Sequence, residues 1–183
     1  MKGQLWISAV LYIALGVVII TLILAAGLPL INKMRDRNTI LQTKEMLLQV
    51  DENIRAVISE GPGSKRYLSP IEIGKGELYI DKEGTSNVTW IVRTNNKMME
   101  PNILFREGYI EFFLQESLVE NEYVVNLNLD YYKIANLELS DKTPYGNPFT
   151  GTYSLTIERT DQYSPVNIDG KIVQVPIIEL TVA

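Results

Sequence analysis

Residues 3–32 carry no charged side chain, and that single stretch decides most of what this chain can fold into. Within it, residues 5–31 are apolar apart from Ser8, Thr21 and the phenol of Tyr12. A helix of that length extends about 40 Å, whereas a bilayer core needs only about 30 Å. A helix buried in a water-soluble domain keeps a polar face over such a distance, and this one has none. The stretch therefore predicts a membrane-spanning helix at about residues 5–31. A cleaved secretory signal is the rival reading, with Ala25-Ala26-Gly27 as its small-residue box. Its apolar region is normally about 7 to 15 residues long, and here Leu28, Leu30 and Ile31 carry the apolar run past the box.

The helix does not stop at the membrane boundary. Beyond Pro29 and the polar string Asn32-Lys33-Met34-Arg35-Asp36-Arg37, the residues Ile40, Leu47 and Ile54 recur every seven positions. Thr43, Val50 and Val57 fill the other heptad position, and Leu41, Leu48 and Ile58 widen the stripe. The pattern predicts an amphipathic continuation to about Ser59, ended by Gly61-Pro62-Gly63. Residues 4–60 thus read as one long helix, apolar in its first half and one-sided in its second. Packing on the chain's own domain is the expected use of the stripe.

After Gly63 the period changes to two. Tyr123, Val125, Leu127, Leu129 and Tyr131 alternate with polar neighbours, as do Tyr153, Leu155 and Ile157. Shorter alternations occur at Leu78 and Ile80, at Val88, Trp90 and Val92, at Ile110, Phe112 and Leu114, and at Ile178, Leu180 and Val182. This is the signature of antiparallel strands with one wet face. Asp169-Gly170 marks a two-residue hairpin, Glu83-Gly84 and Glu107-Gly108 further turns, and residues 143–148 a loop. The expected class is α+β: a long N-terminal helix, then a mainly antiparallel β-sheet or sandwich of eight or nine strands over residues 61–183.

Composition excludes several functions. Histidine and cysteine are absent, which removes Ser-His-Asp and Cys-His nucleophiles, disulfides and Cys/His zinc sites. The net charge is −5, with +1 over residues 1–60 and −6 over residues 61–183, so a nucleic-acid partner is not expected. Glu116, Glu120 and Glu122 cluster near a strand end, where exposed charge is ordinary. Ser64-Lys65 lacks the spacing of a phosphate loop or a Ser-x-x-Lys nucleophile. Asp141, Asp161 and Asp169 lie in loops without calcium-loop spacing. No cofactor, metal or catalytic residue is expected. Ten tyrosines favour strands, and would also suit a binding face. Asn87-Val88-Thr89 is the one N-glycosylation sequon, with Asn87 as acceptor beside a predicted turn.

The start, Met1-Lys2-Gly3-Gln4-Leu5-Trp6-Ile7-Ser8, resembles the class III signal peptide of archaeal type IV pilin-like proteins. A basic residue and glycine precede an uncharged apolar helix that stays with the mature chain. The resemblance implies a leader of residues 1–3, cut by a prepilin peptidase between Gly3 and Gln4. It also implies a helix held in lipid before assembly and packed against sister helices in a cell-surface pilus afterwards, with a β-rich head outside. Ser8 stands where bacterial pilins carry a glutamate five residues after the cut, which fits the archaeal pattern. Ala14, Gly16, Ala25, Ala26 and Gly27 would permit close helix approach. Two observations compete with this plan. Lys33, Arg35 and Arg37 follow the span while Lys2 alone precedes it, which favours the head on the cytoplasmic side. A permanently anchored β domain, acting as a surface binding module without polymerising, shares the same elements. A tethered enzyme would need two carboxylates facing across a cleft.

Overall fold

A computed structural model describes residues 2–144 and 146–183, with side chains from Ser8 onward apart from Glu83. One α-helix, α1 (Lys2–Glu60), is followed by eight strands. These are β1 (Lys65–Ile80), β2 (Asn87–Thr94), β3 (Leu104–Glu107), β4 (Ile110–Glu116), β5 (Tyr123–Asp130), β6 (Asn136–Leu139), β7 (Phe149–Ile168) and β8 (Lys171–Val182). A short 3₁₀ turn, Lys82–Gly84, joins β1 to β2. The fold is α+β with a long N-terminal helix. Two compact units divide it, residues 1–38 and 39–183, so the second unit includes the last six turns of α1 together with the sheet.

In the first unit α1 passes through Pro29 without interruption. Among its described side chains none is buried. Long apolar residues point outward all around it, from Val10 at 61% exposure to Ile31 at 49%.

In the second unit the strands form one sheet in the order β3-β4-β5-β2-β1-β7-β8-β6. Every neighbouring pair is antiparallel except β6 with β8. A row of large apolar side chains crosses six strands in register: Phe149, Leu78, Trp90, Leu127, Phe112 and Phe105. The period-two alternation produces this row, because only every second residue of each strand faces inward. Trp90 is fully buried, and its indole Nε1 donates to the Lys75 carbonyl at 2.9 Å. That bond is possible because Gly76 carries no side chain; a Cβ there would meet the Ile91 carbonyl at 2.4 Å.

The sheet curls. Its β6 edge returns to the β1–β2 connection, where Ser86 Oγ donates to Asn136 Oδ1 at 2.8 Å and accepts from the Leu137 N–H at 3.3 Å. The inner face receives Leu47, Val50, Ile54 and Val57 of α1, all buried, and one hydrophobic core contains both helix and strand residues. The heptad stripe is therefore used within the chain, with one narrowing: Leu41 and Leu48 stay exposed at 46% and 39%. Their place in the packed face is taken by Met46 and by a buried carboxylate, Asp51.

The turns follow the local chemistry. Asp169 and Gly170 both adopt positive φ, 51° and 82°, as a two-residue hairpin requires, and the Gly170 N–H donates to Asn167 Oδ1 at 3.0 Å. α1 ends at Gly61, whose φ of 106° breaks the helical run. Its last carbonyls are captured by other elements. Ser64 Oγ donates to Val57 O at 2.9 Å and Gly61 O at 2.8 Å, while Arg159 of β7 donates to the Ile58 carbonyl. No basic residue lies in the final turn of α1, so Arg159 supplies from β7 the cation that a helix C-terminus favours. The Gly63 N–H donates to Arg159 O at 2.8 Å and the Arg159 N–H to Ser64 O at 3.0 Å, joining the helix exit to the start of the β1–β7 ladder.

Candidate functional site

The most unusual surface of the described residues is the apolar segment of α1. Tyr12, Leu22, Ile23 and Leu30 are each 60% exposed or more. Ala14, Ala25 and Ala26 are exposed, Gly16 and Gly27 half-buried, and a Cβ on either glycine would meet nothing within 4 Å. These five small residues therefore leave backbone accessible to a neighbouring molecule. Thr21 Oγ1 donates to the Val17 carbonyl at 2.8 Å, so its hydroxyl is satisfied inside the helix and suits an apolar medium. The segment is long and apolar enough to be a candidate membrane span. Met1 lies outside the described residues, as do the side chains of residues 2–7, so the Gly3 and Gln4 site is described only as helical backbone.

Just past this segment Lys33, Arg35 and Arg37 are exposed, Lys33 and Arg37 on one side of the helix and Arg35 on the other. Leu30, Lys33, Met34 and Arg37 follow the three- and four-residue spacing of one helical face, which joins apolar and basic character.

Within the second unit, one polar cluster interrupts the helix–sheet core, and sequence reading does not single it out. Asp51 is 5% exposed. Arg55 Nε donates to both its carboxylate oxygens at 2.8 and 3.0 Å, and Tyr131 Oη donates to Oδ1 at 2.9 Å. The Arg55 guanidinium lies 3.5 Å from the ring centroid of Tyr109, at the β3–β4 turn, and 5.7 Å from that of Tyr131. Burial pushes the Tyr131 phenol well above its ordinary range, and the Asp51 charge and hydrogen bond push the same way. Lys44 pairs with Glu107 beside the same turn. Both carboxylate oxygens of Asp51 are engaged, and the arrangement fastens the helix to the sheet. Asp51 sits one position past Val50 of the heptad stripe, and the one sequence signal is a charged residue placed beside that stripe.

The other residues singled out from the sequence do not assemble. Ser64 caps the helix end, and Lys65 pairs with Glu158 at 2.8 Å. Glu122 accepts from Ser117 Oγ at 2.7 Å, while Glu116 is exposed at the end of β4 and Glu120 within the β4–β5 loop. Asp141 and Asp169 lie in separate exposed turns, whereas Asp161, expected in a loop, falls within β7; among the described residues no group of three or more His, Cys, Asp or Glu is arranged to hold a metal ion. Asn87 is the first residue of β2, opposite Asp130 of β5, and is half-buried with its Oδ1 lacking a hydrogen-bond partner. The sequon hydroxyl of Thr89 donates to Asn128 Oδ1 at 2.7 Å. Tyr67, Tyr109 and Tyr163 are more than half exposed but belong to three different strands or turns, whereas Tyr131 is core.

Shallow grooves also occur among the described residues. One of about 360 Å³ lies between Thr39, Gln42 and Gln49 of α1 and Pro70, Glu72 and Gly74 of β1. Another, about 490 Å³, opens on the outer face around Tyr79, Ile91 and Arg93. Comparison with protein-family models, curated proteins and solved structures finds no match.

Proposed function

We propose that the chain is a structural subunit of a pilus-like filament, of the archaeal type IV pilin-like kind. The observation that carries this reading is a continuous helix whose first half is apolar on all sides while its second half is built into a β domain. A helix with no buried face needs an apolar environment, and lipid and copies of itself both supply one. The five small residues would let backbones approach when lipid is exchanged for sister helices. The Thr21 hydroxyl, satisfied within the helix, does not hinder the exchange. In this reading Met1 to Gly3 are removed by a prepilin peptidase, Gln4 becomes the first residue, and the β domain faces outward from the cell. Its chemistry is association, not turnover.

Mass spectrometry of the mature N-terminus tests it. A chain beginning at Gln4 is expected. Met1 retained, or a cut near Gly27, refutes the reading. The competing arrangement, a permanently anchored domain, rests on the basic residues after the span. Gly3→Val separates the two, since it blocks the cut and should abolish filament incorporation while leaving an anchored domain unaffected.

A further inference from the structure

We propose that the β4–β5 loop, residues 117–122, docks on the apolar-basic face of α1 at Leu30, Lys33, Met34 and Arg37 of a second copy of this chain. The proposal rests on the filament reading and names one of its contacts. At the loop tip Leu118 is 107% exposed and Val119 59%, an apolar pair held out in water. The loop is not loose. The Ser117 N–H donates to Glu122 O at 2.9 Å and the Glu122 N–H to Val119 O at 3.2 Å. Ser117 Oγ also donates to Glu122, and Asn121 turns the chain at a φ of 60°. A preorganised apolar knob loses little entropy on docking. Glu122 is occupied by Ser117 and lies 3.8 Å from Arg93, which leaves Glu116 and Glu120 as the exposed acids flanking the knob.

The helix face offers the complement. Leu30 is 60% and Met34 59% exposed, and the exposed Lys33 and Arg37 lie beside them. Apolar meets apolar and acid meets base in the same pattern, which gives the contact its specificity and register. A bilayer surface is the poorer occupant for the loop, because two acids beside the knob disfavour anionic headgroups. In the filament reading copies stack in one direction, so each copy offers its loop to the helix of the next and the heterologous contact repeats along the assembly.

The chain has no cysteine, so an engineered pair reports cleanly. Full-length Leu118→Cys with Met34→Cys, oxidised on intact cells, should give a ladder of disulfide-linked multimers on non-reducing gels. Either single variant can reach no further than a dimer. Glu116→Lys with Glu120→Lys should cut the ladder at least about tenfold, and adding Lys33→Glu with Arg37→Glu should restore it to within about twofold. Unchanged near-ultraviolet circular dichroism controls for folding of the head. Filaments without a ladder, or a ladder indifferent to charge reversal, overturn this contact and leave the filament reading intact. A wild-type chain that never forms filaments removes both. Loss of vesicle association on Leu118→Ser, with no ladder in the cysteine pair, would assign the loop to a bilayer and also overturn the proposal.

Discussion

Replacing Asp51 by alanine is expected to loosen the attachment of α1 to the sheet more than any exposed ion-pair deletion. The carboxylate is 5% exposed and accepts from Arg55 at 2.8 and 3.0 Å and from Tyr131 at 2.9 Å. Removing it leaves the fully buried Tyr131 hydroxyl without its acceptor, and a buried unsatisfied donor costs about 1–3 kcal/mol. It also strands the Arg55 cation. That side chain is 29% exposed and retains the Tyr109 ring, so solvent and the aromatic face soften the penalty. The sum is about 3 kcal/mol, at the lower end for breaking a buried pair. Tyr131→Phe removes one donor to the carboxylate and should cost about 1.5–2 kcal/mol. In the double variant the orphaned hydroxyl no longer exists, so the two effects should fall short of additive by about 1 kcal/mol. Urea unfolding of the full-length chain in detergent, followed by Trp90 fluorescence in a Trp6→Phe background, measures all three. A cost for Asp51→Ala below about 1 kcal/mol, or strict additivity, would refute the assignment of this cluster as a fastening.

The raised Tyr131 phenol gives a pH prediction: its contribution is fully present below the unfolded value of 10.0 and is lost as pH rises from there toward the folded value, because only the unfolded chain releases the proton. Stability above pH 10 should fall by up to about 1.4 kcal/mol per unit more steeply in the wild type than in Tyr131→Phe, measured by urea unfolding across that range. Gly76→Ala should be severely destabilising, by at least about 3 kcal/mol, since its Cβ would lie 2.4 Å from a backbone carbonyl at a φ of 87°. Gly74→Ala, two residues away with open space around it, should change the same unfolding midpoint little. Arg159→Met should destabilise by about 1–2 kcal/mol through the uncapped Ile58 carbonyl, and amide hydrogen exchange should rise first in the last turn of α1.

Local chemistry made the helix, its end and the hairpins legible, because those features depend on residues close in sequence. The Gly61-Pro62-Gly63 stop and the Asp169-Gly170 turn occur where the residues demand them. What escaped depends on distant partners. β7 was visible only as two short pieces around residues 153–157 and 166–168, because the ladder with β8 is irregular between Arg159 and Tyr163 and no alternation bridges the gap. β1 was visible only at its end, since Pro70, Gly74 and Gly76 obscure the alternation of its first half. The heptads gave the buried face of α1 but included Leu41 and Leu48, which a helix packed on a sheet, unlike a coiled coil, has no second partner to cover. Asp51 drew no reading at all, because nothing near it in sequence reveals Tyr131, eighty positions away. The apolar first half was unmistakable, whereas the pairing of a knob at residues 118–119 with a helix face emerges only once exposure is known.

The way α1 leaves the core has a mechanical consequence. Its final carbonyls are gripped by Ser64 and Arg159, and the chain runs at once into the ladder where Lys65 faces Glu158 and Arg66 faces Ile157. A force drawn along the helix is therefore passed to β1 and β7, two of the longest strands in the molecule, without crossing a slack linker. Their antiparallel ladder shares that load over many hydrogen bonds at once. The domain is thus harnessed to the last turns of its helix through a hydrogen-bonded splice, with β1 and β7 as the first strands to carry tension.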